Sequence, residues 1–300
     1  MSCPRSQLST NGPEFSRVVA GLWRLGDWAM SPQERLVFTE QCIEMGVTTF
    51  DQADIYGNYC AEMLFGEALA LKPSLRDKIE IVSKCGIKLI SDKRPEHKFK
   101  SYDTSAAHIV TSVEQSLKSM QIDYLDLLLI HRPDPLMSFS EIADTFNQLR
   151  QAGKVRHFGV SNFSRHQFEC LNEKIPLVTN QVEFSPLHIA PMLDSTFDGL
   201  QQHNKAPMIW SALGGGRLFS ANDAASVRIR AAIAAVAEQL NASFASVIYA
   251  WILRLPSNPI VLTGSGRIAA IKDAVDATAI QLTRDQWFYI LEAVTGHEVA

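Results

Sequence analysis

Short apolar or β-branched runs that end in polar residues recur along the whole chain. They fall at VVAGLW (18–23), VTTFD (47–51), IEIVSK (79–84), LDLLLIH (125–131), VRHFGVSN (155–162), LVTNQVE (177–183), PMIWSAL (207–213) and PIVLTG (259–264), and each predicts a strand. Between them apolar residues recur at helical spacing. SPQERLVFTEQCIEMG (31–46) predicts a helix with Ser31 as N-cap and Gly46 as C-cap. Further helices are predicted at CAEMLFGEALAL (60–71), TSAAHIVTSVEQSLKSM (104–120), SFSEIADTFNQLRQAG (138–153), SRHQFECLNE (164–173) and PMLDSTFDGLQQHN (191–204). VRIRAAIAAVAEQLN (227–241), SFASVIYAWILRL (243–255) and RIAAIKDAVDA (267–277) complete the set. Strands apolar on both faces, such as LDLLLI, suit a parallel sheet covered by helices. Eight alternations of strand and helix predict an α/β fold, a closed (β/α)8 TIM barrel, and LTRDQWFYILEAV (282–294) adds a C-terminal helix. No linker or low-complexity tract divides the chain, so residues 1–300 are expected to form one domain.

Composition narrows the function. With 28 basic against 32 acidic residues and a net charge of −4, nothing marks a phosphate backbone or an anionic membrane as partner. No stretch reaches the ~20 apolar residues needed to span a bilayer, and the first 15 residues lack the apolar core of a signal peptide. The five cysteines, Cys3, Cys42, Cys60, Cys85 and Cys170, are widely spaced and show no zinc-ligand pattern. Reduced thiols in a cytoplasmic protein are the expectation, with Cys85 a buried small hydrophobe.

In such barrels the chemistry sits at the C-terminal strand ends and in the loops after them. Reading those ends in order gives Asp51, Tyr56 five residues later, Lys84 and His131. Taken singly, each has an ordinary structural reading: an Asp caps a turn, and a His after an apolar run makes a structural hydrogen bond. Together they suit proton delivery to a carbonyl oxygen as a hydride reaches its carbon. Tyr56 would be the acid; a neighbouring cation lowers a phenol's pKa, Lys84 is that cation, and Asp51 holds the ammonium. His131 would orient the carbonyl. A metal site built from His131, Asp134 and His108 is a competing arrangement, supporting hydrolase or lyase chemistry.

The stretches GVTTFDQADIYG (46–57), IVSKCG (81–86), YLDLLLIHRPDP (124–135), GKVRHFGVSNF (153–163), NQVEFSPL (180–187) and WSALGGGRL (210–218) give a chain that resembles the aldo-keto reductase family from about Val18 to Ala277. The resemblance implies an NADP(H)-dependent oxidoreductase interconverting aldehydes or ketones and alcohols by direct hydride transfer. It implies catalytic roles for Asp51, Tyr56, Lys84 and His131, with Trp23, Tyr56 and His131 also meeting the substrate and no metal required. Carried over position by position, Leu22 and Trp23 lie beside the pyrophosphate and nicotinamide ribose, Asp51 also borders the cofactor, and Ser161, Asn162 and Gln181 hold the carboxamide. Trp210 stacks on the nicotinamide, while Ser211, Ala212, Leu213, Gly214 and Arg217 run past the pyrophosphate. Glycines at 214–216 let backbone N–H groups approach phosphate whatever the family.

At the adenosine end Gly264, Ser265 and Gly266 fit the family segment, but its usual Arg, Glu and Asn correspond to Ala270, Asp273 and Ala274. Arg267 or Lys272 is expected to meet the 2′-phosphate instead. Trp23, Trp28, Tyr59 and Phe184 are candidate substrate walls, Arg132 a candidate anion contact, and the loop 91–104 a gate to the site. The expected partners are a small carbonyl or alcohol substrate, no nucleic acid and no membrane, with a monomer or weak homo-oligomer. A second reading is an NADP(H)-binding regulatory subunit with little turnover, as in potassium-channel β subunits.

Overall fold

A computed structural model describes residues 2–299, and in it eight strands pair in parallel and close on themselves. They are β1 (Val18–Gly21), β2 (Thr49–Asp51), β3 (Glu80–Cys85), β4 (Leu125–Ile130), β5 (Val155–Ser161), β6 (Asn180–Glu183), β7 (Met208–Trp210) and β8 (Ile260–Thr263). Each pairs with the next, and β8 returns to β1 through Leu262 opposite Val19. Helices α1 (Pro32–Glu44), α2 (Ala61–Ala70), α3 (Ala106–Met120), α4 (Phe139–Gln151), α5 (Arg165–Asn172), α6 (Thr196–Gln202), α7 (Ala224–Leu240), α8 (Phe244–Leu253) and α9 (Ile268–Ala277) surround them. The extra helix α10 (Arg284–Thr295) packs along α7. This is the (β/α)8 barrel that the alternation predicts. Among the described residues no single helix is long and apolar enough to cross a membrane.

Two apolar layers follow from the twofold alternation of strand side chains. Val19, Val82, Leu127, Leu129, Met208 and Leu262 fill the barrel interior, closed at its N-terminal end by Leu8 and Phe15. Phe15 lies within, and Leu8 directly after the first strand of, an antiparallel hairpin, Arg5–Gln7 with Glu14–Ser16, that the apolar pattern does not predict. The outer layer packs Phe50, Ile81, Leu128 and Phe158 against the helices.

Several ends differ from expectation, each for a local reason. The strand expected to run to residue 213 stops at Trp210 because Ser211 turns left-handed, φ 58°. The one expected at 155–162 ends at Ser161, where Asn162 takes φ 59°. The single helix expected at 191–204 is two, Ala190–Leu193 and α6, broken where Ser195 adopts φ 68° and Asp194 Oδ1 accepts from the Thr196 amide at 3.0 Å. Ser31 caps α1 through a capping box with Glu34, while Met45 is the C-cap and Gly46 is the left-handed residue after it, φ 77°.

Helix α2 packs tightly on α3 at Gly66. A Cβ on Gly66 would lie 2.3 Å from the Ser119 carbonyl oxygen and 2.7 Å from the Met120 Cα, both backbone atoms that cannot swing aside. Alanine in place of glycine inside a helix gains ~1 kcal/mol in propensity, but overpacking costs ~1–3 kcal/mol or more. Packing therefore wins, and Gly66→Ala is expected to lower the melting temperature by about 3 °C or more on the usual scale for chains of this size. Thermal unfolding of the variant checks this; an unchanged or raised midpoint would contradict the close approach.

Candidate active site

The alternation that fills the barrel also builds its C-terminal mouth. Val82 points inward, so Lys84, two residues on, does too; Leu127 and Leu129 are followed at the same parity by His131, and Met208 by Trp210. Register places Ser161 beside Gln181 and Gly21 beside Asp51.

Lys84 lies at the centre. Its side chain is fully buried, and its ammonium donates to Asp51 Oδ2 at 2.7 Å, the Gln52 carbonyl oxygen at 2.9 Å and the Tyr56 hydroxyl at 2.9 Å. An ammonium has three N–H donors and all three are used. Burial acts to lower its pKa, and Asp51 and Tyr56 more than offset this, leaving it above the usual lysine value. The other oxygen of Asp51 accepts from Gln181 Nε2 at 2.7 Å. Burial raises the Tyr56 pKa, Lys84 opposes this, Asp51 reinforces it, and the net direction is upward. The expectation that the lysine leaves this phenol more acidic than usual is thus corrected: Tyr56 rests as a protonated donor.

Tyr56 owes its place to an unusual turn. Gly57, Asn58 and Tyr59 are all left-handed, with φ of 57°, 54° and 64°. For a bulky residue such as Tyr59 this costs ~1–2 kcal/mol, and contacts from the loop after β3 hold it. The Tyr59 hydroxyl accepts from the Leu89 amide at 2.8 Å, Asn58 Nδ2 donates to Asp92 at 3.0 Å, and the Arg94 guanidinium sits 4.7 Å from the Tyr59 ring centre.

His131 faces Tyr56 edge to face, ring centres 5.9 Å apart, and its Nδ1 is sealed from solvent without a partner. Burial, then the Lys84, Arg132 and Lys100 charges, push its pKa well below the ordinary histidine value, so the ring is neutral at pH 7. A neutral imidazole can offer one N–H beside the phenol.

A polar belt continues from the other side of Asp51. Ser161 Oγ donates to the Gln181 carbonyl oxygen at 2.9 Å, Asn162 Nδ2 to Ser161 Oγ at 2.8 Å, and Trp210 Nε1 to Asn162 Oδ1 at 3.1 Å. The backbone after Trp210 suits an anion. Gly214, Gly215 and Gly216 have φ of 61°, 64° and 92°, and a Cβ on Gly216 would meet only open space. Leu22 and Ala212 are buried and offer only backbone there, while Trp23 is 62% exposed. Ser211 and Leu213 belong to this turn, and Arg217 lies 3.8 Å from Asp223 at its far end. This combination of aromatic face, amide belt and glycine turn fits a nicotinamide dinucleotide.

The structure separates the adenosine-end candidates. Ser265 Oγ accepts from the Arg267 amide at 3.2 Å, while Gly264 and Arg267 stand exposed at the start of α9. Lys272 is tied to Asp276 one turn along the helix, and Ala274 is in the core. Of the two expected cations, Arg267 is the available one.

Other expectations are corrected. Phe184 is fully buried, stacked on Trp251 at 5.5 Å, and is no substrate wall. Trp28, by contrast, keeps a partly exposed face while packing against Phe38 and over Gly266. The competing metal arrangement is not assembled: Asp134 accepts from Thr104 and the Leu136 amide, His108 approaches Asp103 and Ser112, and no cluster of three ligands exists among the described residues.

Sequence reasoning also misses a carboxylate behind the site. Glu62 on α2 is 5% exposed and accepts from Ser83 Oγ at 2.6 Å, one residue from Lys84. Burial raises its pKa to about 7, against the pull of Ser83, Ser116 and Lys84. A signal existed: Glu62 shares an i, i+3, i+7 stripe with the buried Phe65 and Leu69. Nearby Asp54 is also pushed well up by burial and by Glu62, with its Oδ1 unpartnered.

The Aldo/keto reductase family model matches residues 17–295. Oxidoreductase YdhF of Escherichia coli strain K12 is 53% identical over 98% of this chain and 99% of its own length. The 6-dehydroglucose reductase of Agrobacterium fabrum is 41% identical over 96% and 97% of the two chains. The solved glycerol dehydrogenase of Gluconobacter oxydans superposes with a TM-score of 0.84 at 24% identity, covering 98% of this chain and 95% of that one, a likeness of fold.

The raised pKa of Glu62 carries a stability consequence with a definite sign. Between its unfolded value of 4.5 and about 7 the folded chain holds a proton that the unfolded chain has lost. Stability from this group is full below the lower value and is lost as pH rises through about 7. Glu62→Gln mimics the protonated form. Its melting temperature is expected to match wild type near pH 5 and exceed it by pH 8, and parallel profiles would count against a proton held there.

Proposed function

The chain belongs to the aldo/keto reductase family, and on that footing we propose that it is an NADP(H)-dependent oxidoreductase that reduces aldehydes or ketones to alcohols, or runs the reverse reaction, with Tyr56 as the general acid and base. The observation that carries this reading is the fully buried Lys84 ammonium joining Asp51 to the Tyr56 hydroxyl, opposite an imidazole with an unpartnered nitrogen. A bound nicotinamide supplies or accepts the hydride. The residues of the chain do the rest.

Tyr56 donates its proton to the carbonyl oxygen as negative charge develops there. Its raised pKa keeps the phenol protonated at neutral pH, and the Lys84 ammonium at 2.9 Å stabilises the phenolate left behind. Asp51 fixes Lys84, and Gln181 fixes Asp51, so the proton donor is set from the far side of the barrel. The neutral His131 donates to the same carbonyl oxygen and aims its carbon. Ser161, Asn162 and Gln181, joined with Trp210 in one hydrogen-bonded belt, would hold the carboxamide; Trp210 would stack on the ring, and Leu22, Trp23 and the 211–217 turn would line the pyrophosphate. Gly264, Ser265 and Arg267 would meet the adenosine phosphate, which favours NADP(H) over NAD(H). The Agrobacterium relative is named a reductase of a dehydrogenated sugar, which supports the reductive direction. The reading places residues 1–300 in one cytoplasmic domain acting on a small carbonyl or alcohol substrate, as a monomer or weak homo-oligomer.

Two measurements test it. Tryptophan fluorescence titration should show saturable binding of NADPH, tighter than NADH, with the difference narrowing in Arg267→Ala; absence of binding by either cofactor would overturn the assignment. Tyr56→Phe should still bind NADPH and lose on the order of 10²–10⁴ in kcat/KM for carbonyl reduction, the range set by removing a general acid. Wild-type turnover in that variant would remove Tyr56 from the chemistry.

A further inference from the structure

Two cations, Arg132 and Lys100, come from the elements flanking His131 in a chain whose net charge is −4. Arg132 directly follows His131 at the end of β4, and its guanidinium carbon lies 5.7 Å from the centre of the Trp210 ring. It lines a cavity of about 350 Å³ that also reaches Asn162 and Trp210. Lys100 comes from the loop after β3. The base of that loop is fixed over the neighbouring strand, because Asp103 N bonds Gly86 O at 3.0 Å, Lys88 pairs with Ser101, and His131 N bonds Cys85 O at 2.9 Å. The fields of Arg132 and Lys100 both reach the His131 ring.

Neither cation has a carboxylate within 4.0 Å among the described residues. Lys88, by contrast, has Asp103 at 3.8 Å. Glu183 and Asp194 line the same cavity, outside ion-pairing distance of Arg132. Arg132 is only partly exposed, so its charge gives up part of its hydration without a counter-ion in return. A guanidinium fork so placed is suited to a carboxylate or phosphate by paired charge-assisted hydrogen bonds.

We propose that Arg132 forms an anion-recognition site beside the reacting carbonyl, with the charge of Lys100 on the loop after β3 adding to it at longer range, so that the preferred substrate is an aldehyde or ketone carrying a carboxylate or phosphate group. The inference rests on the proposed carbonyl chemistry and deepens it: the anionic group of the substrate completes Arg132 and seats the carbonyl between Tyr56 and His131.

The test compares pairs that share a carbonyl and differ in charge. With NADPH, 4-carboxybenzaldehyde is set against its methyl ester, and glyceraldehyde 3-phosphate against glyceraldehyde. Wild type should favour the charged member of at least one pair by about tenfold or more in kcat/KM, and the pair showing the larger ratio identifies carboxylate or phosphate as the recognised group. The preference should lie mainly in KM and shrink as salt is raised from 0.05 to 0.5 M, as expected for about this range of screening. Arg132→Gln should bring the charged-to-neutral ratio close to one, Lys100→Gln should lower it partway, and Arg132→Lys should restore part of it. Because the ratio is taken within each variant, a poorly folding protein does not mimic the result, and Lys100→Gln on the exposed loop gives a second reading. Ratios near one in wild type for both pairs overturn the proposal. So does an equal loss on both members in Arg132→Gln, which would assign that arginine to the cofactor. No turnover of any of the four compounds, with NADPH still bound, would overturn the carbonyl reductase reading itself and this inference with it.

Discussion

A buried ammonium is the constraint on which the mouth of this barrel depends. Taking an unpaired lysine charge out of water costs several kcal/mol on the usual scale, and Lys84 has no exposed surface through which to recover it. The charge is tolerated because β2 supplies Asp51, the loop after it supplies the Gln52 carbonyl, and Tyr56 supplies its hydroxyl. Satisfying three donors at once fixes the relative positions of two strands and one loop. The phenol is consequently held in place before any substrate arrives, and a buried pair that adds little net stability instead specifies geometry.

That geometry is carried around the barrel by hydrogen bonds of ordinary length. Gln181 links Asp51 to β6, Ser161 links β6 to β5, and Asn162 links β5 to Trp210 on β7. Closure of the sheet is what makes such a belt possible, since an open sheet would leave β2 and β6 far apart. Some of the backbone strain lies at the same rim: Tyr59, Asn162 and Ser211 are left-handed residues with side chains, each directly beside a group of the site. Residues that hold unfavourable dihedrals persist where surrounding contacts over-determine them. Tyr59 shows how, being gripped from the loop after β3 through its hydroxyl and its ring face.

The barrel and the site centre were legible because they rest on strong periodicities. A strand that is apolar at alternate positions and ends in a charged residue places that charge at the mouth of the barrel, which is how Asp51, Lys84 and His131 announce themselves. What was hidden depends on individual dihedrals or on three-dimensional charge balance. The break at Ser195 follows from one left-handed residue that no composition signals. Phe184 follows a strand end but has the parity of Val182, opposite to Gln181, so its ring faces outward onto Trp251 and Phe197. The direction of the Tyr56 pKa is a competition between burial and two opposite charges, and only the depth of the site shows that burial wins. Glu62 was concealed for a related reason: its partners Ser83 and Ser116 lie on other elements, so the helix alone reads as an apolar stripe with one acid.

The distribution of charge across the mouth follows from the same depth. A neutral imidazole and a neutral phenol face the space where a carbonyl oxygen would sit, with the fully buried Lys84 ammonium immediately behind the phenol. An oxygen gaining negative charge there meets two hydrogen-bond donors and the field of Lys84 with little water to screen it. Further out, Arg132 and Lys100 have no carboxylate within 4.0 Å among the described residues and act at longer range. The inner charge is therefore satisfied within the protein and serves the reacting oxygen, whereas the outer charges remain free to meet what is bound. Burial divides the two roles: a cation sealed against Asp51 cannot bind an anion, and an unpaired cation at the rim cannot set the acidity of a phenol it does not touch.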